Sequence, residues 1–157
     1  FLRYGNNRDK YYDDVRRHVD MGMNFIRVWG GGITERAAFY DACDELGVLV
    51  MQEFWMTGDN NGRWAGEYWF PERHDVYLDN ARDVILMLRP HASLLLWCLG
   101  NELSPSSQSP PPDILSNFTN TLFPQLDPYR FVLPSSMSMN EKTGEYDPHY
   151  ALSPKDG

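Results

Sequence analysis

No run of lysines and no basic patch occurs in this sequence. Its 14 lysines and arginines face 22 aspartates and glutamates, which gives a formal charge of −8 and a pI near 4.8. A surface this acidic offers no counter-charge to a phosphate backbone, so nucleic acid is excluded as a partner. Cysteine is scarce too. Cys43 and Cys98 are the two, and each sits inside an apolar run. They read as buried thiols rather than a disulfide framework. No apolar run is long enough to span a bilayer and no signal peptide is visible, so no membrane partner is expected. Metal-binding patterns are missing: there is no HExxH and no Cys/His cluster. Glu72-Arg73-His74 has a Glu-x-His spacing, but it opens a helix away from the strand ends. No metal and no cofactor is therefore expected. Asn117-Phe118-Thr119 has the letters of a glycosylation sequon, yet it falls on the apolar stripe of a helix.

What is present is apolar and aromatic. Hydrophobic residues make up 42% and aromatic residues 14%, with five tryptophans. Acidic, aromatic-rich chains suit sugar binding, and a large core explains the same composition. Tyr12, Val15 and Val19 recur at helical spacing, which predicts a helix from Asp9 to Met21. Phe25-Ile26-Arg27-Val28-Trp29 is a short β-rich run closed by three glycines. Thr34 is the expected N-cap of a second helix, striped by Phe39, Cys43 and Leu46 and ended by Gly47. Val48 to Met51 is a continuous apolar run that stops at Gln52-Glu53-Phe54-Trp55. After a polar loop, Tyr77, Ala81, Val84, Ile85 and Leu88 mark a third helix. Ser93 to Leu103, SLLLWCLGNEL, is a buried run that halts at an amide and a carboxylate. Ile114, Phe118 and Leu122 stripe a further helix, and Phe131-Val132-Leu133 is a last strand. No confident structure is expected beyond Ser138.

Strands without alternation, each followed by a helix, predict a parallel sheet. An open doubly wound sheet that binds a nucleotide wants GxGxxG or GxxxxGK[ST] after a strand. Gly30-Gly31-Gly32-Ile33-Thr34 has neither the spacing nor the lysine. Three successive strands instead end in polar or aromatic groups: Arg27/Trp29, Gln52/Glu53/Trp55 and Asn101/Glu102. In a (β/α)8 barrel the C-terminal strand ends converge on one site, and that accounts for the abrupt end of SLLLWCLGNEL. A whole barrel needs about 250 residues and eight strands. The 157 residues hold four strands, begin at Phe1 without a methionine and end in the polar tail Ser153-Pro154-Lys155-Asp156-Gly157. The expectation is one unit, residues 1–157, forming the N-terminal half of a barrel. Glu102, flanked by apolar Trp97, Cys98 and Leu99, would be partly desolvated. A desolvated carboxyl keeps its proton to higher pH, as a proton donor near neutrality requires.

The blocks MGMNFIRVWGGG, FYDACDELGVLV, QEFWMTGD and LRPHASLLLWCLGNE resemble consecutive blocks of the catalytic barrel of glycoside hydrolase family two. QEFWMTGD and GNELSP are most similar to the mannosylglycoprotein endo-β-mannosidases, with β-mannosidases and exo-β-glucosaminidases as relatives. The resemblance implies a retaining β-glycosidase that hydrolyses a β-mannosidic bond such as Manβ1-4GlcNAc of N-glycans. It implies that Glu102, at the end of the fourth barrel strand, is the acid/base. Asn101 would bind the sugar 2-hydroxyl. Arg27, ending the second strand, would support the nucleophile and the subsite floor. Trp29 and Glu53 fall at the −1 subsite wall by position; Trp55, Trp64 and Trp69 lie where loop aromatics could stack on sugar faces, and of these only Trp55 is placed by a motif.

The resemblance also implies what to look for outside this stretch. The family's nucleophile sits on the seventh strand, whereas Glu141 and Glu145, the glutamates after Glu102, lie in a polar tail. The first strand is expected to be absent, unless Phe1-Leu2-Arg3 is a remnant near it. The expected partners are an oligosaccharide or N-glycan substrate and the remainder of the barrel with its β-sandwich domains. The isolated chain is expected to be inactive. An exo-acting β-mannosidase, an exo-β-glucosaminidase and an inert sugar-binding barrel remnant are the alternatives.

Overall fold

The computed structural model describes residues 4, 5, 7–57, 70–103 and 111–136. Expectations for Phe1-Leu2-Arg3, Trp64, Trp69, Glu141 and Glu145 lie outside the described residues. Strands and helices are numbered here from the first one described. The order is α1 (Arg8–Asp20), β1 (Phe25–Val28), α2 (Ala37–Leu46), β2 (Leu49–Thr57), α3 (His74–Leu88), β3 (Leu94–Asn101), α4 (Pro112–Asn117), a π-helical turn (Phe118–Leu122), α5 (Phe123–Leu126) and β4 (Phe131–Leu133).

Local chemistry sets these boundaries. The Asn7 side chain accepts the Lys10 N–H at 3.2 Å and starts α1. Tyr11 and Val15 are its buried face. The second helix begins two residues later than expected. Its N-cap is Arg36, in an extended conformation (φ −74°, ψ 155°) with no side-chain capping bond. Thr34 caps nothing, and its hydroxyl is buried without a hydrogen-bond partner. In α3, Tyr77, Ala81, Ile85 and Leu88 form one buried stripe. The π-helical turn adds a residue to the helical repeat. That keeps Phe118 and Phe123 on one face, their rings stacked at 5.5 Å.

The four strands are parallel and lie in the order β1-β2-β3-β4. A doubly wound sheet reverses its strand order at a switch point and so covers both faces with helices. Here the order never reverses, so right-handed crossovers put every helix on one side. This is a partial (β/α)8 barrel. The main core lies between sheet and helices and includes Val50, Phe54, Met56, Ala81, Ile85, Trp97, Leu99 and Phe118. A fully buried side chain of this size contributes roughly 1.5–3 kcal/mol. Phe54 stacks on Trp97 at 5.5 Å and meets Phe118 at 4.8 Å. Trp97 has no exposed surface, and its indole N–H donates to Asp127 at 2.8 Å. At this tryptophan, then, the aromatic content belongs to the core.

The other face of the sheet carries a second, smaller apolar cluster of Met51, Leu96, Cys98 and Leu133. Strand alternation puts Phe25 and Arg27 on this face, as it does Met51 and Glu53. Phe25 and Phe131, the first residues of β1 and β4, are 41% and 49% exposed. On this face Phe25 and Phe131 thus lie at the strand starts, and Arg27 and Glu53 lie farther along their strands.

Candidate active site

Strand β2 runs on to Thr57, past the expected stop at Met51. The strand carries two irregularities in register against β3, one between Val50 and Met51 and one, in the extension, between Glu53 and Met56. Gln52 and Glu53 are adjacent and face opposite sides, yet both are buried. Gln52 accepts a hydrogen bond from the Tyr40 hydroxyl on the helix side. Glu53 turns to the inner face. Its Oε1 accepts from Arg27 Nε at 2.8 Å and its Oε2 accepts from the Gly30 N–H at 2.8 Å. Its side chain has no exposed surface.

Arg27 reaches along the inner face and makes two further connections. Its Nη2 donates to Asn101 Oδ1 and, at 3.1 Å, to Ser136 Oγ. Ser136 Oγ lies 3.3 Å from the same Asn101 oxygen. The amide oxygen of Asn101 is thus engaged twice, and its Nδ2 is the donor that this residue presents. The guanidinium is held by Glu53, Asn101 and Ser136, from three different strand ends. It keeps 41% of its side-chain exposure.

Two glycines let the backbone close up here. A Cβ on Gly30 would stand 2.2 Å from the Phe54 carbonyl oxygen. A Cβ on Gly100 would stand 2.4 Å from the Met56 carbonyl oxygen and 2.8 Å from Leu103 Cδ1. Both carbonyls belong to the irregular part of β2. Immediately after Gly100 and Asn101, Glu102 takes φ 53°, in the left-handed region. A side chain there costs on the order of 1–3 kcal/mol and persists only where the surroundings enforce it. Glu102 is partly exposed.

The structure brings Arg27, Glu53 and Asn101 together, with Glu102 next in the chain. The placement of Glu53 differs from the expected subsite wall. Both of its oxygens are engaged and its carboxylate is buried, so it reaches the site only through Arg27. Trp29 is 50% exposed beyond β1, and its ring lies across Gly31. With Arg27, Ile33 and Phe39 it lines a cleft of about 380 Å³. Trp55 departs further. It meets Tyr77 of α3 edge-on at 5.7 Å and lines a cavity of about 430 Å³ with Gly32, Ile33, Asn80 and Met87. It therefore faces α3 rather than the Arg27–Asn101 cluster, because the irregularity after Glu53 turns the strand.

Sequence reasoning missed Ser135 and Ser136. The signal was present: they follow the apolar run of β4 as Gln52-Glu53 and Asn101-Glu102 follow theirs. Cys98 adds a packing constraint. Its Sγ lies 3.3 Å from the Gly100 carbonyl oxygen, and burial together with the nearby Glu53 carboxylate pushes the thiol up to about 12. Asp41, Asp44 and His91 have ligand atoms within 4.8 Å of one another. Asp44 already accepts from the Ser93 N–H and from His91, both at 2.6 Å. Ser93 precedes β3, so this group sits at the opposite end of the strands from Asn101. Among the described residues no helix is long and apolar enough to cross a membrane.

In chemical terms, the rim offers a carboxyl group beside an amide donor and a fixed cation. That is a set suited to proton transfer on a polyhydroxylated ligand. Comparison with known proteins narrows it. Residues 22–142 match the model of the family described as glycosyl hydrolases family 2, TIM barrel domain. A mannosylglycoprotein endo-beta-mannosidase of Lilium longiflorum is 45% identical, covering 78% of this chain and 14% of its own length. Beta-mannosidase B of Thermothelomyces thermophilus is 42% identical, covering 61% of this chain and 10% of its own length. The chain therefore spans a small part of these relatives. Among solved structures, the beta-D-mannosidase of Dictyoglomus thermophilum superposes with TM-score 0.63 at 26% identity, over 86% of this chain and 17% of that one. The Amycolatopsis orientalis exo-chitosanase CsxA, at TM-score 0.66 and 22% identity over 82% of this chain and 15% of its own, shares the fold.

Proposed function

The chain belongs to the family 2 glycosyl hydrolases, through their TIM-barrel domain, and from that premise we propose that it supplies the acid/base half of a retaining β-glycosidase acting on β-mannosidic bonds. The observation that carries the reading is the junction of Arg27 with Asn101 Oδ1, one residue before Glu102. It ties the end of β1 to the end of β3 at the rim where a barrel site forms.

In this reading Glu102 protonates the glycosidic oxygen as the bond to the anomeric carbon breaks. The same group, now a carboxylate, later takes a proton from the water that attacks the covalent intermediate. Asn101 offers its Nδ2 to the 2-hydroxyl, a bond that strengthens as positive charge builds on the ring. Arg27 holds Asn101 and supplies positive charge to the floor, and Glu53 holds Arg27. Trp29 borders the cleft beside Arg27. The nucleophilic carboxylate, about 5–5.5 Å from the acid/base in a retaining enzyme, comes from polypeptide that completes the barrel. That same polypeptide covers Phe25 and Phe131. On this reading the chain alone does not turn over substrate.

The name of the lily relative favours Manβ1-4GlcNAc of an N-glycan core as the substrate. To test this, the complete enzyme is incubated with a glycopeptide bearing that core while proton NMR follows the released sugar. Cleavage at the mannosyl β-bond with the β anomer appearing first supports the proposal. Initial release of the α anomer, or hydrolysis of β-glucosaminides in place of β-mannosides, overturns it.

A further inference from the structure

Glu102 occupies a backbone conformation that a residue with a Cβ avoids, φ 53°. The β2–β3 ladder runs up to Asn101 and leaves Glu102 just outside it. The pairing of β3 with β4 ends at Cys98 and Leu133. Beyond it, two consecutive residues make bonds outside the ladder. The Ser136 N–H donates to the Gly100 carbonyl at 3.0 Å. The Leu103 N–H donates to Ser135 Oγ at 2.9 Å. These bonds fall on either side of Asn101-Glu102. Ser136 adds a third hold from above, through Arg27 and Asn101. Ser135 is 2% exposed and Leu103 is 1% exposed, so their bond is shielded from water.

We propose that Ser135 and Ser136 are positioning residues that clamp the Asn101-Glu102 turn and so aim the Glu102 carboxyl; the proposal rests on the acid/base reading of Glu102. Proton transfer is sensitive to small displacements of the donor. Without the Ser135 hydroxyl, the Leu103 N–H is buried with no acceptor, and the turn relaxes toward a conformation that suits a side chain better. The carboxyl then moves while the sugar subsite, built by Arg27 and Asn101, stays in place. Removing the Ser136 hydroxyl loosens Arg27 and Asn101 together, and its effect reaches binding as well.

A residue that only supports the fold lowers the rate on every substrate alike. A clamp on the proton donor shows leaving-group selectivity. The test uses the complete enzyme with Ser135→Ala, Ser135→Thr and Ser136→Ala, each checked for folding by thermal melting. Glycosylation rates are compared on a natural β-mannoside and on a dinitrophenyl β-mannoside, whose leaving group needs no proton. Ser135→Ala is expected to lose about tenfold or more in kcat on the natural substrate with KM little changed. On the dinitrophenyl substrate its first step should fall by about twofold at most. Ser135→Thr, which restores an acceptor, should recover most of the loss. Ser136→Ala should show the same selectivity with a raised KM, and it carries the test if Ser135→Ala does not fold. Equal losses on both substrates, or no loss in either variant, overturn the clamp. Glu102→Gln run alongside separates the two claims. If it shows leaving-group selectivity while neither serine variant does, the clamp alone falls. If it shows none, the acid/base reading falls and takes the clamp with it.

Discussion

Glu53 and Arg27 meet at 2.8 Å across neighbouring strands, the carboxylate fully covered and the guanidinium 41% exposed. The two ends of this pair are therefore not equivalent. Loss of Arg27 strands a buried charge, whereas neutralising Glu53 leaves a cation that water can still reach. Arg27→Ala should destabilise the protein by about 3 kcal/mol, and Glu53→Gln, which keeps an acceptor for Arg27, by clearly less. Urea denaturation of both variants checks this; equal midpoints, or a larger loss for Glu53→Gln, would contradict the placement.

Gly100 should tolerate no side chain. Its Cβ would lie 2.4 Å from a backbone oxygen, which cannot rotate away. Overpacking of this kind costs about 1–3 kcal/mol. Gly100→Ala should lower the melting temperature and, in the complete enzyme, reduce activity further by displacing Asn101 and Glu102. A Gly100→Ala variant with unchanged melting and activity would show that β2 does not approach β3 as described.

Both thiols should be unreactive in the folded protein. Burial, aided by Asp44 at Cys43 and by Glu53 at Cys98, pushes each up to about 12. The thiolate is the reactive form, so at neutral pH a thiol reagent such as dithionitrobenzoate should label neither cysteine until denaturant is added. Rapid labelling of either in native buffer would mean that its strand is not packed as found.

Acid should loosen the junction between α2 and β3. Burial alone would raise the Asp44 carboxyl, but hydrogen bonds from Ser93 and His91 outweigh it and hold the group below the usual range. The native state therefore prefers the ionised form. Its contribution is complete above the ordinary carboxylate pKa of about 3.9 and is lost as pH falls through the lower native value. Asp44→Asn should reduce stability near neutrality and flatten its decline below about pH 4. Denaturation midpoints measured from pH 6 to pH 3, in roughly half-unit steps, would reveal the difference. Parallel curves for the two proteins would refute it.

The order of elements was legible because the core stripes, such as Tyr77, Ala81, Ile85 and Leu88, follow helical periodicity without interruption. Continuous apolar runs announced the parallel strands, and the polar residues that end them pointed to the Arg27–Asn101 rim. Other features follow from how strands meet, which a one-dimensional pattern does not hold. The irregularity between Glu53 and Met56 goes with the turn of Trp55 toward α3, and it leaves no mark in the letters Gln52 to Thr57. Thr34 looked like a cap by residue type, but the chain enters the helix only after an extended Arg36. Ser135 and Ser136 follow an apolar run as the other rim residues do, but their bonds to Gly100 and Leu103 cross to a neighbouring strand end and show only in the structure.

The central claim is that Glu102 is a proton donor. The most direct measurement is the turnover of Glu102→Gln in the complete enzyme, on a natural β-mannoside and on a dinitrophenyl β-mannoside, with and without azide. The account predicts a loss of about 10²–10⁴-fold on the natural substrate with the fold intact. It predicts a much smaller loss in the first step on the activated substrate, and rescue by azide to a β-mannosyl azide, because azide attacks the intermediate without a general base. Equal rates for the variant and the unaltered enzyme on both substrates would contradict it.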